Sequence, residues 1–352
     1  MNPSIQKIRC VDLFCGAGGL THGFVLEGLD VVAGIDLDAA CRYPYEANND
    51  ALFLEKDVAK LTAKEITSFF GDASVKILAG CAPCQPFSTY AQRYDERRDH
   101  KWGLLNEFAR LAKSTKPDII TMENVPKLAN HPVFLDFVNT LQRLKYYTWF
   151  NVVDSSHYGV PQTRKRLVLL ASIHGKIELV PPTSPKPRTV KQAIGRLRRL
   201  DAGDSAPRDP LHTTATLSDL NMKRIKASKP GGTWRDWPAQ LVADCHNRSS
   251  GKTFPGVYGR MEWEKPSPTM TTQCYGFGNG RFGHPDQDRA ISLREAAILQ
   301  SFPRNYKFVE TKQDVQFKTL GRLIGNAVPV ELARAVAISI KQHVTEVGLN
   351  PN

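Results

Sequence analysis

Short apolar runs alternate with amphipathic patterns through the first half of the chain, which predicts a parallel sheet with helices on its faces. Patterns with helical periodicity cover residues 20–26, 104–112 and 134–144. The runs that predict strands cover residues 8–14, 31–35, 51–54, 75–79, 118–122, 147–153 and 167–172. We therefore expect an open α/β sheet, in which ligands bind beyond the carboxyl ends of the parallel strands.

The pattern changes after residues 180–188, a proline-rich segment that predicts a hinge. Residues 191–273 are basic and weakly periodic, with Trp234 and Trp237 interleaved, and we expect one of these tryptophans to belong to a small core. Later helices are predicted at residues 292–300, with a capping box, and 331–344. The predicted domains are residues 1–184 plus 320–352, and residues 185–319 with the hinge.

Composition and charge narrow the class of protein. Hydrophobic residues make up 41% of the 352 residues, enough for a sizeable core. No apolar run long enough to span a bilayer and no signal peptide is found, so we expect a cytoplasmic protein with reduced cysteines and no membrane partner. The net charge of +12 indicates a polyanionic partner, most simply nucleic acid, with a generally solubilising surface as the alternative.

A glycine-rich turn follows the first predicted strand at residues 16–19, and Asp36 ends the second strand 20 residues after Gly16. Glycines there allow a ligand to approach the helix N-terminus, and an acid at this distance can bond ribose hydroxyls. The spacing departs from G-x-G-x-x-G, and no phosphate-binding Lys-Ser/Thr follows. The pattern predicts a nucleoside ligand without specifying a dinucleotide.

The strand at residues 75–79 leads into a stiff turn, residues 80–88, that contains Cys81 and Cys84. A cysteine held beyond the carboxyl end of a strand is well placed for nucleophilic attack. The C-x-x-C spacing leaves open a redox couple, half a zinc site or two buried thiols. Because no second C-x-x-C occurs among the seven cysteines, we predict no metal site.

Two polar groups follow later strands. Glu123 lies at the end of the strand at residues 118–122, where a carboxylate would face the ligand crevice, or would cap a helix. The basic residues of the segment 158–166 would contact an anion or a base there, or would form a solvated loop.

The ordered motifs resemble those of DNA (cytosine-5) methyltransferases, of the compact prokaryotic type, over residues 8 to about 345. Each motif is short, and their occurrence together in this order is highly specific. The resemblance implies a Rossmann-like S-adenosylmethionine-dependent methyltransferase sheet with a smaller target-recognition lobe. The motifs are Asp12-Leu13-Phe14-Cys15-Gly16-Ala17-Gly18-Gly19, Pro83-Cys84-Gln85, Glu123-Asn124-Val125, Gln162-x-Arg164-x-Arg166, the segment 260–272 with Pro268-Thr269, and Gly325-Asn326-x-Val328.

The resemblance implies that Cys84 is the nucleophile, that Glu123 contacts the flipped cytosine, and that Arg166, with Arg164, makes the base and loop contacts. Leu37 departs from the family, whose members often place a tryptophan there against the adenine, so we expect weaker cofactor packing. The residues implied for S-adenosylmethionine are Phe14, Gly16, Gly18, Gly19, Leu20, Asp36, Leu37, Asp57, Val58, Pro83, Leu104, Asn326 and Val328.

The implied activity is methyl transfer to carbon 5 of a flipped cytosine in a specific duplex DNA sequence, leaving S-adenosylhomocysteine. The expected partners are double-stranded DNA and a functionally paired restriction or other defence enzyme, and the expected state is a monomer. The residues predicted to contact DNA are Gln85, Ser88, Arg93, Arg97, Arg98, Gln162, Arg260 and Thr269.

Three rival functions make different demands on the sequence. A tRNA cytosine methyltransferase would carry a Cys-Phe-Thr tripeptide, whereas here Cys245 precedes His246 and Cys274 precedes Tyr275. A catalytically silent DNA-binding regulator would not need an intact Cys84. A nicotinamide-dependent oxidoreductase accounts for the first β-α-β unit and for nothing after Asp57.

The polar segment 89–103 is predicted to be a lid over the flipped cytosine. Its basic residues outnumber its acids, which favours contact with phosphate. We expect Gly103 to serve as its flexible joint, with a rigid helix starting at Leu104.

Overall fold

The computed structural model describes residues 7–83, 98–248 and 251–349, with the backbone alone for residues 98–102. The chain forms two compact units: Met1–Tyr158, Lys165–Thr183 and Val328–Asn352 make up the first, and Gly159–Arg164 and Ser184–Ala327 the second. Compared with the predicted domains, segments 159–164 and 320–327 group with the second unit.

The described part of the first unit is built on a seven-stranded sheet flanked by helices, which confirms the predicted α/β class. Its strands are β1 Ile8–Leu13, β2 Asp30–Asp36, β3 Leu52–Glu55, β4 Val75–Gly80, β5 Ile119–Asn124, β6 Tyr147–Asp154 and β7 Lys165–Ser172. Its helices are α1 Gly19–Leu26, α2 Arg42–Glu46, α3 Ala63–Phe70, α4 Arg98–Thr115, α5 Pro132–Arg143 and, near the carboxyl end of the chain, α11 Val330–Glu346.

The strand order is β3-β2-β1-β4-β5-β7-β6, with β1 to β5 parallel and β7 antiparallel to both of its neighbours. The order reverses between β1 and β4, so the connections leaving these two strands run in opposite directions. A crevice therefore opens beyond the carboxyl ends of β1 and β4. Because β7 is antiparallel, it begins at the edge where β5 ends.

Two apolar clusters cover the two faces of this sheet. One packs β-strand side chains against α3, α4 and α5, and the other packs them against α1 and α11. Gly23 on α1 is needed for the second arrangement, since a Cβ there would lie 2.4 Å from Cβ of Ala333 on α11. Helix α11, near the carboxyl end of the chain, is therefore part of the hydrophobic core of the first unit.

Helix α4 begins at Arg98 and includes Gly103, so the prediction of a flexible joint at Gly103 and a helix starting at Leu104 is wrong. A single glycine inside a helix costs about 1 kcal/mol relative to alanine, which an 18-residue helix can absorb. Residues 89–97 of the predicted lid lie outside the described residues.

The second unit contains short elements joined by irregular segments. Trp234 and Trp237 are both buried in its apolar cluster with Ile225 and Phe277. Both tryptophans therefore belong to the core, whereas only one was expected to. Its described elements are α6 Val190–Ile194, β8 Ser205–Ala206, β9 Asp209–Thr213, α7 Asp219–Ala227, α8 Asp244–Asn247, α9 Leu293–Leu299 and α10 Phe317–Asn326.

Among the described residues, the helical stretch Phe317–Glu346 is long and apolar enough to cross a membrane by length and composition. Its most apolar window is 78% buried inside the structure, as is usual for a core helix. The stretch is also broken at residues 327–329, between α10 and α11.

Candidate functional site

The turn after β1 has an unusual backbone. Phe14 has φ +58° and Gly16 has φ +53°, and a non-glycine residue in this left-handed region carries a conformational cost of order 1 kcal/mol. The Gly16 N–H donates to Asp36 Oδ2 at 2.9 Å, and a Cβ added to Gly16 would meet no atom within 4 Å. The turn thus presents open backbone to the crevice and is fixed to the end of β2.

Asp36 is partly buried at the end of β2, and burial raises the pKa of its carboxyl while the N–H groups of Asp38 and Gly16 oppose the shift. Each of its oxygens accepts one backbone hydrogen bond, from Asp38 at 3.0 Å and from Gly16. Each oxygen therefore keeps a lone pair that can accept a ribose hydroxyl. Leu37 beside it is 69% exposed, an apolar surface of the kind an adenine ring covers.

The remaining predicted cofactor residues are placed in several environments. Leu20, Val58 and Val328 have side chains buried in the apolar clusters of the first unit. The Asp57 carboxylate accepts the Ala59 N–H at 3.0 Å and caps a short 3-10 helix. Gly18 and Gly19 are buried in the turn, Pro83 is exposed, Leu104 is partly buried on α4, and Asn326 belongs to the second unit.

The structure brings Glu123 and Arg166 together where β5 ends and β7 begins. Glu123 near the end of β5 lies opposite Val168 on β7, and Arg166 is two residues before Val168, so both side chains project from one face. Arg166 Nε is 2.9 Å from Glu123 Oε1, and the side chains are only 13% and 11% exposed. The N–H does not point at this oxygen, because Glu123 Oε1 accepts no well-aligned hydrogen bond from the described residues. Glu123 Oε1 is therefore a buried carboxylate oxygen that can still accept a hydrogen bond from a well-aligned donor.

Asn124 is a positioning residue that the sequence interpretation missed. Its amide donates to the Ala82 carbonyl at 2.9 Å, and its side-chain oxygen accepts the Val125 N–H at 2.8 Å. The end of β5 is thereby fixed to the turn after β4, two residues before Cys84. The sequence signal that could have identified Asn124 is its amide side chain, directly after Glu123 at a predicted strand end.

Cys84 lies outside the described residues, and Cys81 is the described cysteine of this turn. Burial, and next the negative charge of Glu123, raise the pKa of the Cys81 thiol well above its ordinary value. Cys81 therefore remains a neutral thiol near pH 7, which makes it a poor nucleophile.

In the second unit, Gln162 and Arg164 form a buried bracket. Gln162 is 0% exposed; its amide donates to Leu299 O and Gln300 Oε1, and its oxygen accepts the Met270 N–H at 2.8 Å. Arg164 is 2% exposed and donates to the carbonyls of Met270 and Gly325 at 2.9 and 3.1 Å. These bonds hold the segment 159–164 inside the second unit.

The sequence profile of a family described as C-5 cytosine-specific DNA methylase matches residues 8–342. The chain belongs to this family. It is 51% identical over 337 residues to the type II methylase M.HgiDII of Herpetosiphon aurantiacus, covering 94% of each chain. It is 30% identical to the type II methyltransferase M1.HphI of Haemophilus parahaemolyticus, covering 95% of this chain and 87% of that one.

A solved structure described as a prophage-encoded DNA modification methyltransferase of Escherichia coli superposes with a TM-score of 0.73 at 22% identity, covering 96% of this chain and 100% of that one. This match shows a shared fold. The predicted family is confirmed: the chain is a DNA (cytosine-5-)-methyltransferase with the S-adenosylmethionine-dependent methyltransferase fold, and membership implies S-adenosylmethionine as the methyl donor.

The bracket corrects two predictions about this methyltransferase. Arg164 was expected to share the base and loop contacts with Arg166, and Gln162 was expected to contact DNA. Both side chains are instead consumed by hydrogen bonds within the second unit, so neither presents a polar group to a ligand.

Arg260 requires a similar correction. Its guanidinium is 5% exposed and donates to the carbonyls of Ile225, Ser228 and His284, with Asp288 as its acidic partner. These bonds make it an interior brace and not the predicted DNA contact. Thr269 is exposed, and its hydroxyl donates to Thr163 O at 2.7 Å.

Several predicted contacts lie where the structure gives no side chain. Gln85, Ser88, Arg93 and Arg97 are outside the described residues, and Arg98 is described by its backbone alone at the start of α4. Their assignment to DNA stays a prediction.

In the second unit, an open cavity of about 580 Å³ is lined in part by Arg198, Arg208, Asp209 and His212. Asp209 is neutralised by Arg294, whose guanidinium donates to both carboxylate oxygens at 2.7 and 2.9 Å. The two exposed arginines therefore leave the cavity wall positive, as expected for a surface that meets phosphate.

Proposed function

We propose that this methyltransferase modifies carbon 5 of a flipped-out cytosine in a specific duplex DNA sequence through a covalent adduct with Cys84. The observation that carries the proposal is the Glu123–Arg166 pair, 2.9 Å apart at the carboxyl end of β5 and the start of β7, with Asn124 fixing the turn that leads to Cys84. When bound, S-adenosylmethionine supplies an electrophilic methyl group and leaves as S-adenosylhomocysteine.

The residues divide the work as follows. The Cys84 thiolate adds to carbon 6, and the electron pair of the 5,6 double bond moves to carbon 5, which takes the methyl group. Glu123 holds a proton or hydrogen bond at ring nitrogen 3, and Arg166 stabilises charge at the ring carbonyl oxygen. Loss of the proton at carbon 5 restores the double bond and releases Cys84. A base inside the stack is out of reach, so the cytosine must be flipped.

The Gly16 turn and Asp36 would hold the donor, through open backbone and through carboxylate lone pairs respectively. The names of the type II relatives support a role in host DNA modification, alongside a restriction or other defence enzyme. On this reading the protein works as a monomer in the cytoplasm, associated with DNA.

Purified protein with S-adenosylmethionine and mixed duplex DNA should yield 5-methylcytosine, identified by mass spectrometry of nucleosides, in one sequence context identified by bisulfite sequencing. A tRNA sample serves as the control substrate and should remain unmodified. Methylation of tRNA alone, methylation of adenine, or no transfer to DNA would overturn the proposal.

The division between Arg164 and Arg166 can be tested with matched alanine variants. Arg166→Ala and Glu123→Gln should each lower kcat by about 10²–10⁴-fold, since they remove groups that act on the base, and each should also lower the melting temperature, because the remaining partner stays buried without its counter-charge. Arg164→Ala should instead destabilise the second unit by about 2–4 kcal/mol, because buried carbonyls lose their donors. A purely kinetic effect of Arg164→Ala would contradict its placement as a brace.

A further inference from the structure

In the described part of the second unit, Phe254 is the exposed aromatic side chain, at 50% exposure. It belongs to residues 243–248 and 251–257, here called the strap. The strap also carries exposed Arg248 and Lys252, neither of which pairs with an acidic side chain among the described residues, and its acidic residue is Asp244. An aromatic ring beside unpaired positive charges is the composition expected of a nucleic-acid contact.

The strap is fixed at its backbone. The Trp234 indole N–H donates to Phe254 O at 3.2 Å, and the Arg235 guanidinium donates to Lys252 O at 2.8 Å. Arg235 also lies 5.3 Å from the centre of the Trp234 ring, in cation–π geometry. The side chains of Phe254 and Lys252 are therefore presented by an anchored backbone, which keeps the entropy lost on binding small.

A stacked ring pair supports this anchor. The rings of Trp234 and His246 are 4.3 Å apart and nearly parallel, at 2°, and Tyr258 meets His246 edge-on. His246 is 4% exposed, yet neither ring nitrogen has a hydrogen-bond partner among the described residues. Such groups are rare in protein interiors, and this one marks a segment whose polar interactions are incomplete in the isolated chain.

We propose that the strap enters a groove of duplex DNA, where Phe254 contacts base edges and Arg248 and Lys252 contact phosphates, so that Phe254 is a determinant of the target sequence. The inference rests on the proposed function and identifies the element that selects its substrate. An apolar ring distinguishes the thymine methyl group from polar base edges, whereas phosphate contacts carry no sequence information.

The two kinds of contact predict different results from two single substitutions. Phe254→Ala should lower the ratio of affinities for the cognate site and for sites with one base pair changed by about 5–30-fold, with the salt dependence kept. Lys252→Ala should weaken both complexes equally and reduce the slope of log K against log salt by about one. Leu220→Ala, at an apolar side chain 46% exposed on α7 of the same unit, is the matched control and should change neither.

Binding is measured by fluorescence anisotropy across a salt series, and methyl transfer is measured separately on the same duplexes. Because all three side chains are exposed, melting temperatures should agree with the parent protein. As an independent readout, p-benzoylphenylalanine at position 254 should photo-crosslink to cognate duplex, and the same group at position 220 should not.

An unchanged affinity ratio in Phe254→Ala, an equal change in Leu220→Ala, or no crosslink from position 254 would overturn the assignment. Sequence-specific binding that survives without methyl transfer would count against the proposed reaction and leave the strap supported. Loss of sequence preference in Phe254→Ala with normal methyl transfer to other sites would support both the strap assignment and the proposed reaction.

Discussion

Both units contain a carboxyl side chain that is only 1% exposed, Asp12 on β1 and Glu295 on α9, and their surroundings differ. Burial raises the pKa of Asp12 to about 7, with its hydrogen bond from the Thr21 hydroxyl opposing the shift. Burial would also raise the pKa of Glu295, but the Arg289 guanidinium, which donates to both oxygens at 2.7 and 2.8 Å, holds that pKa below its usual value.

The comparison shows two different ways of holding a buried carboxyl group. The second unit compensates Glu295 and uses the pair to hold irregular segments together. In the first unit, Asp12 lies four residues before Gly16, the first glycine of the turn, and one of its oxygens has no hydrogen-bond partner among the described residues. Glu123 Oε1 lies 2.9 Å from Arg166 Nε but accepts no well-aligned hydrogen bond, and in the second unit the two ring nitrogens of His246 have no hydrogen-bond partner among the described residues.

Breaking the compensated pair should have the larger effect on stability. Glu295→Gln leaves the Arg289 guanidinium buried without its counter-charge and should destabilise the second unit by about 3–5 kcal/mol near pH 7. Because the folded-state pKa of Glu295 is lowered, its contribution is present above the ordinary carboxyl pKa and is lost as pH falls, so the difference should shrink in acid.

Hydrogen exchange of peptides from each unit measures this directly. Glu264→Gln, which removes the exposed partner of Lys191, is the control and should change stability by less than about 1 kcal/mol. A loss for Glu295→Gln no larger than that of the control would contradict the difference between the units.

The uncompensated carboxyl should respond in the opposite sense. Since the folded-state pKa of Asp12 is raised to about 7, its contribution to stability is complete below the unfolded value near 3.8 and is lost as pH rises through 7. Asp12→Asn removes this loss, so the variant should gain on the order of 2–4 kcal/mol relative to the parent between pH 4 and pH 8. Urea unfolding at a series of pH values tests this, and parallel profiles for the two proteins would refute it.

The smallest expected effect concerns the stability of α4 in the first unit. Gly103 lies inside this helix, and a Cβ there would meet no atom within 4 Å. Gly103→Ala should therefore stabilise the first unit by about 0.5–1 kcal/mol. Thermal unfolding together with kcat checks it; loss of activity with the expected stabilisation would restore the idea of a joint at this position.

The sheet and part of the site could be predicted because their signals are local. Buried parallel strands appear as apolar runs, and a polar residue directly after such a run, like Asp36 or Glu123, falls at the ligand edge. The antiparallel β7 brings Arg166 to the same edge, which a motif indicates but periodicity does not.

The errors come from polar residues whose partners are distant in sequence. Gln162, Arg164 and Arg260 appear solvent-facing in a basic sequence, yet their hydrogen bonds join segments 24 to 161 residues apart. The start of α4 was placed late because Gly103 and the charges before it resemble a loop, while the packing that stabilises the helix comes from outside it.

Covalent trapping tests the central claim that Cys84, and not Cys81, is the nucleophile. Duplex DNA with 5-fluorocytosine at the target should form, with S-adenosylmethionine, an adduct that survives a denaturing gel, because fluorine at carbon 5 blocks the elimination that releases the enzyme. We expect the adduct to be retained in Cys81→Ala and absent in Cys84→Ser. An adduct that persists in Cys84→Ser, or disappears in a folded Cys81→Ala protein, would contradict the account.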